Sequence, residues 1–186
     1  MSNTIPTKYT EYDIHRKGVP KLYHADCLES FLKALSTKEV YDRLEKTVRS
    51  GPIDSLAPHA VNASLAELGA SDVIELLPIL KKCFPDLTFR VSGNFIYGPG
   101  DAIDEHTNSN DPSDTLYITY ATGKSKFSYR HSLDDDFIDT YDVVNGITLR
   151  AFELTPHPPF TFHKVECEDG YRVSIGLRYV NTTTGV

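Results

Sequence analysis

The spacing of apolar residues divides the chain into two parts with different periods. Residues 1–87 repeat apolar side chains at three- and four-residue steps, the period of a helix with one buried face. The first such set is Leu28, Phe31, Leu32 and Leu35. The same spacing predicts a second helix over Lys38–Val48 and a third that begins at Ser71 and ends before Pro85.

From residue 88 onward the period changes to two. Short β-branched and aromatic runs alternate with Gly, Pro, Asn and Asp, which is typical of strands with one buried face. The runs are Thr88–Tyr97, Thr115–Ala121, Lys126–Arg130, Ile147–Leu154, Phe160–Val165 and Tyr171–Val180. We therefore predict one α+β domain over residues 1–186, in which a helical region (1–87) supports a β-barrel or sandwich (88–180).

Composition and charge narrow the classes of protein that fit. The three cysteines, Cys27, Cys83 and Cys167, are far apart and odd in number, which disfavours a disulfide framework and favours a reducing compartment, the cytoplasm or the nucleus. No run of the chain has the apolar length of a membrane span, and its start lacks a signal-peptide pattern. A net charge of −7 disfavours nucleic-acid binding unless the positive charges are concentrated in one patch.

The last long strand carries two arginines on one face. Arg172 and Arg178 are an even number of residues apart, so their side chains point to the same side of a strand. Ser174 and Gly176 lie between them on that face and leave it free of bulk. Because guanidinium groups pair with carboxylates in a bidentate way, this face could hold a dicarboxylic acid, although a solvated charged face gives the same pattern.

Two histidines lie next to turns that precede the arginine strand. His106 follows a Gly-Pro-Gly turn and His163 lies on the strand before Arg172. A single histidine is more often structural, but a pair suits the site in which two histidines and one carboxylate hold Fe(II) and leave positions open for oxygen and a co-substrate. Two histidines and an amide could also hold zinc in a hydrolase, but the arginine pair would then have no purpose.

Together, these segments resemble the AlkB-like branch of the 2-oxoglutarate- and Fe(II)-dependent dioxygenases. In that branch a Tyr-x-x-Gly turn leads into His-x-Asp, followed by a distal His and by two arginines six residues apart. The matching residues here are Tyr97, Gly100, Ile103, His106, His163, Arg172 and Arg178. The resemblance spans residues 88–180, and the short interval from His163 to Arg172 is similar to that of compact viral members.

The resemblance implies a fold and a set of roles. The fold is a double-stranded β-helix (jelly roll) with the N-terminal helices packed against it. His106 and His163 would bind Fe(II), and Arg172 would pair with the distal carboxylate of 2-oxoglutarate, helped by the Tyr97 hydroxyl. Arg178 would lie near the metal-side end of the co-substrate and the substrate cavity, which makes His106, His163 and Arg178 the candidate catalytic residues.

It also implies an activity. Molecular oxygen would be the second co-substrate, and the reaction would be oxidative demethylation of alkylated bases in nucleic acid. An oxygenase of the same fold that acts on a protein, a metabolite or a modified pyrimidine is the alternative, and the acidic charge favours it slightly.

The sequence departs from the family pattern at one position. Asn108 stands where the family has the acid of the metal site. Asn108 could itself bind the metal through its carbonyl oxygen, or a nearby acid, Asp104 or Asp111, could replace it. The third possibility is a catalytically impaired or inactive protein that keeps the barrel as a binding module.

Overall fold

The three-dimensional structure of the chain, a computed structural model, describes residues 8–49 and 63–182. Within these ranges the helices are α1 (Ala25–Leu35), α2 (Lys38–Arg43) and α3 (Ala70–Cys83). The strands are β1 (Tyr9–Asp13), β2 (Lys46–Arg49), β3 (Ala63–Glu67), β4 (Leu87–Tyr97), β5 (Ala102–His106), β6 (Ser113–Ala121), β7 (Ser125–Arg130), β8 (Ile138–Tyr141), β9 (Gly146–Leu154), β10 (Phe162–Cys167) and β11 (Arg172–Asn181).

Strands β4 to β11 form two four-stranded layers with jelly-roll connectivity. One layer has the order β4-β11-β6-β9 and is extended by β1, and the other has the order β5-β10-β7-β8. Strand β3 pairs with both β4 and β5 and so bridges the two layers. The chain thus crosses between the layers in the order of a double-stranded β-helix, which confirms the predicted α+β fold class.

Apolar side chains fill two separate cores. The larger core lies between the helices and the outer face of the β4-β11-β6-β9 layer, and it includes Leu28, Leu32, Leu76, Leu80, Val173, Ile175 and Leu177. The smaller core lies between the two layers and contains Phe127, Phe152, Val165 and Tyr97. The predicted role of the helices as a support for one face of the barrel is therefore confirmed.

The first 87 residues are less helical than predicted. The helix expected over Lys38–Val48 ends at Arg43, because Leu44 is extended and Lys46–Arg49 forms β2. Strands β1 and β3 also lie in this region and pair with β9, β4 and β5. Pairing of this kind supplies hydrogen bonds from residues far away in sequence, which local apolar spacing does not encode.

Two contacts fix the turn that leads into β5. The Tyr41 hydroxyl, on α2, donates a hydrogen bond to Asp101 Oδ2 at 2.6 Å. The backbone N–H of Gly98 donates to the same oxygen at 2.8 Å. The side chain of Asp101 therefore connects the helical layer to the turn that precedes His106.

None of the helices in the described ranges is long and apolar enough to cross a membrane.

The turn between β10 and β11 requires a glycine at position 170. Gly170 has φ +66°, and a Cβ there would lie 2.6 Å from the backbone nitrogen of Gly123. Gly100 has φ +84°, and no atom lies within 4 Å of the position that a Cβ would take. A substitution at Gly100 therefore measures the cost of the backbone conformation without a clash.

We expect Gly170→Ala to lower the free energy of unfolding by about 3 kcal/mol, because left-handed strain and a backbone clash add together. Gly100→Ala should cost only about 1–2 kcal/mol, from strain alone. Urea unfolding of both variants measures the difference, and equal losses would show that the clash is relieved by movement of the turn.

Candidate active site

A cavity of about 230 Å³ opens between the two layers of the barrel. Strands β3, β4, β5, β6, β10 and β11 contribute to its wall. The polar and charged residues that face it include His106, Asn108, His163, Ser174 and Arg178. Most of the residues that the sequence singled out, Tyr97, His106, Asn108, His163 and Arg178, therefore meet at one cavity.

The two histidines face each other across neighbouring strands. His106 on β5 is paired with His163 on β10, and their ring centroids are 4.2 Å apart. His106 Nδ1 lies 2.8 Å from the carbonyl oxygen of Asp104, and His163 Nδ1 lies 2.9 Å from that of Thr161. A carbonyl can only accept, so each Nδ1 carries a proton, and in the neutral ring the lone pair is then on Nε2.

Burial keeps His163 in the neutral form. Its side chain is fully buried and stacks on Phe127 with ring centroids 5.3 Å apart, while Tyr117 and Phe152 contact it edge-on or at a tilt. This burial, together with the adjacent His106, holds the pKa of His163 well below its usual range. A neutral imidazole with a fixed ring orientation is the form in which histidine binds a metal.

Asn108 lies beside the histidine pair. It adopts a left-handed conformation, with φ 52°, and its side-chain amide donates to His163 Nε2 at 3.3 Å. The amide has a carbonyl oxygen at its other end, and half a turn about its terminal bond presents that oxygen to the same point. His106, Asn108 and His163 thus converge at one end of the cavity.

The two alternative acids do not join this group. Within residues 8–49 and 63–182, no three His, Cys, Asp or Glu side chains are grouped so that they could hold a metal. Asp104 is two residues before His106 and would share its face on a regular strand, but β5 has one extra residue between the positions paired with His163 and Val165. This β-bulge places Ile103 on the cavity instead. The carboxylate of Asp111 is bound to Arg90 and Arg178.

The arginine strand has the predicted division between its faces. Strand β11 pairs with β6 without a break from Arg172 to Tyr179, so its alternation is regular. Ser174, Gly176 and Arg178 line the cavity, which confirms that this face is open. Arg178 Nη1 donates to Thr115 Oγ1 at 3.2 Å, which orients its guanidinium group.

Arg172 lies deeper than the sequence suggested. Its side chain is fully buried and donates to Asp142 Oδ2 at 2.8 Å and to Thr119 Oγ1 at 3.2 Å. Asp142 also accepts from Arg150 at 2.6 Å, so two guanidinium groups share one carboxylate in this cluster. Arg172 Nη1 has no hydrogen-bond partner among the described residues, and the guanidinium carbon lies 5.2 Å from the centroid of the Tyr97 ring that lines the cavity.

Asp142 is ionised despite its burial. Burial alone would raise the pKa of its carboxyl group, but Arg150 and Arg172 outweigh that effect and hold the pKa well below its usual range. Sequence reasoning missed both Asp142 and Arg150. The available signal was Arg150 itself, a lone charge in the apolar run Ile147–Leu154.

Comparisons with known proteins find similar solved structures only, and these at low identity. No family model matches the chain, and no curated protein matches it. Among solved structures it is similar to a Pseudomonas putida prolyl-4-hydroxylase, with 14% identity, a TM-score of 0.46, and 85% of this chain and 88% of that chain covered.

Two further solved structures are similar at the same low level. A 2OG-Fe(II) oxygenase family oxidoreductase from Burkholderia pseudomallei has 10% identity and a TM-score of 0.48 over 93% of this chain and 96% of that chain. A predicted oxalate decarboxylase from Thermotoga maritima has 11% identity and a TM-score of 0.33 over 76% and 96%. At identities this low, function has to be inferred from the side chains of the site.

Proposed function

We propose that this chain is a 2-oxoglutarate- and Fe(II)-dependent dioxygenase in which His106, Asn108 and His163 hold the metal. The observation that carries the proposal is the pair of buried histidines on β5 and β10, whose Nδ1 atoms are each fixed by a backbone carbonyl, so that Nε2 is the ring atom that would bind a metal. Two imidazoles with an oxygen ligand on one side suit Fe(II) and leave other positions open.

The donor set fits iron with one weakness. Both histidines have a proton on Nδ1, which makes Nε2 the metal-binding atom of the neutral ring, and an amide oxygen is an acceptable third ligand. An amide brings a dipole where a carboxylate brings a negative charge, so we expect weaker metal binding than the usual triad gives. The metal and 2-oxoglutarate, when bound, would supply the electrons that activate molecular oxygen to hydroxylate a C–H bond.

The arginines supply the co-substrate site in this proposal. Arg178 lines the cavity, and Arg172 is a buried cation with an unused donor close to Tyr97. The Arg150–Asp142–Arg172 cluster carries two positive charges and one negative charge, and an excess buried charge is unfavourable unless it is paired. A carboxylate at Arg172 would balance the cluster, with the Tyr97 hydroxyl as a further donor.

For the primary substrate we propose an N-methylated nucleic-acid base. Phe95 and Tyr117 line the cavity and offer flat surfaces against which an extruded base could stack. Hydroxylation of the methyl carbon would give a hydroxymethyl group that is lost as formaldehyde, while 2-oxoglutarate becomes succinate and CO₂. The net charge of −7 favours the second candidate, a protein, metabolite or modified pyrimidine that reacts at the same cavity.

The test of this function is product formation with the purified chain, Fe(II), 2-oxoglutarate and oxygen. Formaldehyde and succinate released together from a methylated oligonucleotide would support the demethylase. Succinate with peptides or metabolites only would support the second candidate. No succinate from any substrate, together with no metal binding, would leave a barrel that acts as a non-catalytic binding module.

We expect Asn108→Asp to tighten Mn(II) binding at least about tenfold, because a carboxylate adds a negative charge next to the metal. Isothermal titration calorimetry with Mn(II) as a stand-in for Fe(II) measures the change. Asn145→Asp is the matched control, since Asn145 is also left-handed, with φ 56°, but is exposed in the β8–β9 connection. Equal affinities in both variants and the native chain would contradict the role of position 108.

A further inference from the structure

Two arginines stand opposite each other at the mouth of the cavity. Arg90 on β4 is paired directly with Arg178 on β11, so the two side chains share a face of the barrel. The Arg178 side chain is 8% exposed and lines the cavity, whereas that of Arg90 is 58% exposed and lies on the solvent side. Like charges in directly opposed positions repel, so an anion between the two guanidinium groups stabilises this pair.

Asp111 supplies that anion in this structure. Its Oδ2 accepts from Arg178 Nε at 3.1 Å, and its Oδ1 accepts from Arg90 Nη2. Burial is the largest single influence and disfavours the ionised form, but the bonds to Arg90 and Arg178 together outweigh it and lower the pKa of Asp111. The carboxylate is therefore charged, and the three groups together keep one net positive charge.

The Asp111 side chain is more exposed than that of Arg178 and lies outside the strands. It belongs to the β5–β6 connection, and it is 39% exposed. The backbone N–H of Asp111 donates to the carbonyl oxygen of Asn108 at 3.0 Å, so both residues belong to one tight turn. The group that fills the arginine pair is thus connected directly to the candidate metal ligand.

We propose that Arg90 and Arg178 form a seat for an oxyanion of the molecule bound in the cavity, and that Asp111 occupies this seat until that oxyanion displaces it. A carboxylate or phosphate oxygen can replace Asp111 at the same two guanidinium groups without creating an unpaired charge. The inference rests on the proposed function only for naming the cavity as the reacting site. It adds that the bound molecule carries a negative group where it leaves the cavity.

The test is anion binding to the metal-free chain. Inorganic phosphate and acetate are titrated at fixed ionic strength, and the dissociation constants are obtained from the NMR shifts of the arginine Nε–H groups. Asp111→Asn removes the internal competitor, so we expect at least about fivefold tighter binding, the factor that loss of one partly exposed charge pair supplies. Arg90→Gln in the Asp111→Asn background should abolish this gain, since one half of the seat is removed.

Asp139→Asn is the matched control for net charge. Asp139 pairs with Lys126 on the β7–β8 side and does not line the cavity, so its replacement should leave anion binding unchanged. A tighter constant for phosphate than for acetate would point to a phosphorylated molecule, and the reverse to a carboxylic acid. Binding that is equally weak in Asp111→Asn, Asp139→Asn and the native chain would overturn the proposal. Asp111→Ser repeats the test with a smaller side chain.

The anion titration uses the chain without metal or co-substrate. Its outcome therefore does not depend on whether the proposed dioxygenase activity exists. A chain that binds Mn(II) at the histidines but shows no gain in anion binding would keep the metal site and lose the seat. A chain with the seat but without metal binding would do the opposite.

Discussion

Asp142→Asn is expected to lower the free energy of unfolding by about 3–5 kcal/mol, the cost of leaving buried cations without their partner. The carboxylate is fully buried between Arg150 and Arg172, so its neutralisation leaves two enclosed positive charges. Thermal unfolding should show this loss as a fall in Tm of about 6–20 °C for a chain of this size. Asp139→Asn, on the same hairpin but partly exposed, should cost no more than about 1 kcal/mol.

The pH dependence of the free energy of unfolding gives a second measure of what Asp142 contributes to stability. Since the folded-state pKa of Asp142 is lowered, its contribution to stability is present above the pKa of the unfolded carboxyl, about 4, and is lost as the pH falls below it. The native chain should therefore lose stability between about pH 4 and pH 2 more steeply than Asp142→Asn. If the free energy of unfolding fell equally with pH in the two proteins over this acid range, Asp142 would not be ionised in the native chain.

The double variant Asp142→Asn with Arg172→Met tests whether the loss of stability in Asp142→Asn comes from an unpaired charge. If the cost arises from an unpaired guanidinium group, the double variant should be more stable than the sum of the two single losses predicts. Additive losses would instead indicate that Asp142 acts through packing.

His106→Ala and His163→Ala are each expected to weaken Mn(II) binding at least about 100-fold, because either change removes one of only two nitrogen ligands. Calorimetric titration measures the loss, and His131→Ala, an exposed histidine outside the cavity, is the control. His163 is packed among aromatic rings, so far-ultraviolet circular dichroism of each variant checks that it is folded. Native affinity in either folded variant would exclude a metal at this pair.

The arginine face could be predicted from sequence because nothing interrupts its strand. Alternation from Arg172 to Arg178 needs only a regular pairing, and β11 and β6 provide one. The partner of Arg172 could not be predicted, since Asp142 lies 30 residues earlier, directly after β8, and has no local pattern. The same limit explains the unpredicted strands β1 and β2, which depend on distant pairing partners.

The metal-site residues also differ in how far the sequence alone could predict their positions. The turn and motif indicated His106 and His163, and the structure brings them together across β5 and β10. The expectation for Asp104 was wrong because counting by twos assumes an uninterrupted strand, and β5 contains a bulge between Ile103 and His106. The number of residues alone does not reveal where such an insertion lies.

The bulge in β5 also affects how relatives of this chain can be found. A homologue without it would be one residue shorter between the positions of Ile103 and His106, and an ungapped alignment anchored upstream would put the wrong residue opposite the histidine. Because such bulges are usually kept within a family, the shorter spacing would mark a separate branch in which the paired histidine strands stay in place. Searches that allow a one-residue gap there, anchored on His163 and the arginine strand, should recover relatives that a fixed-spacing motif misses.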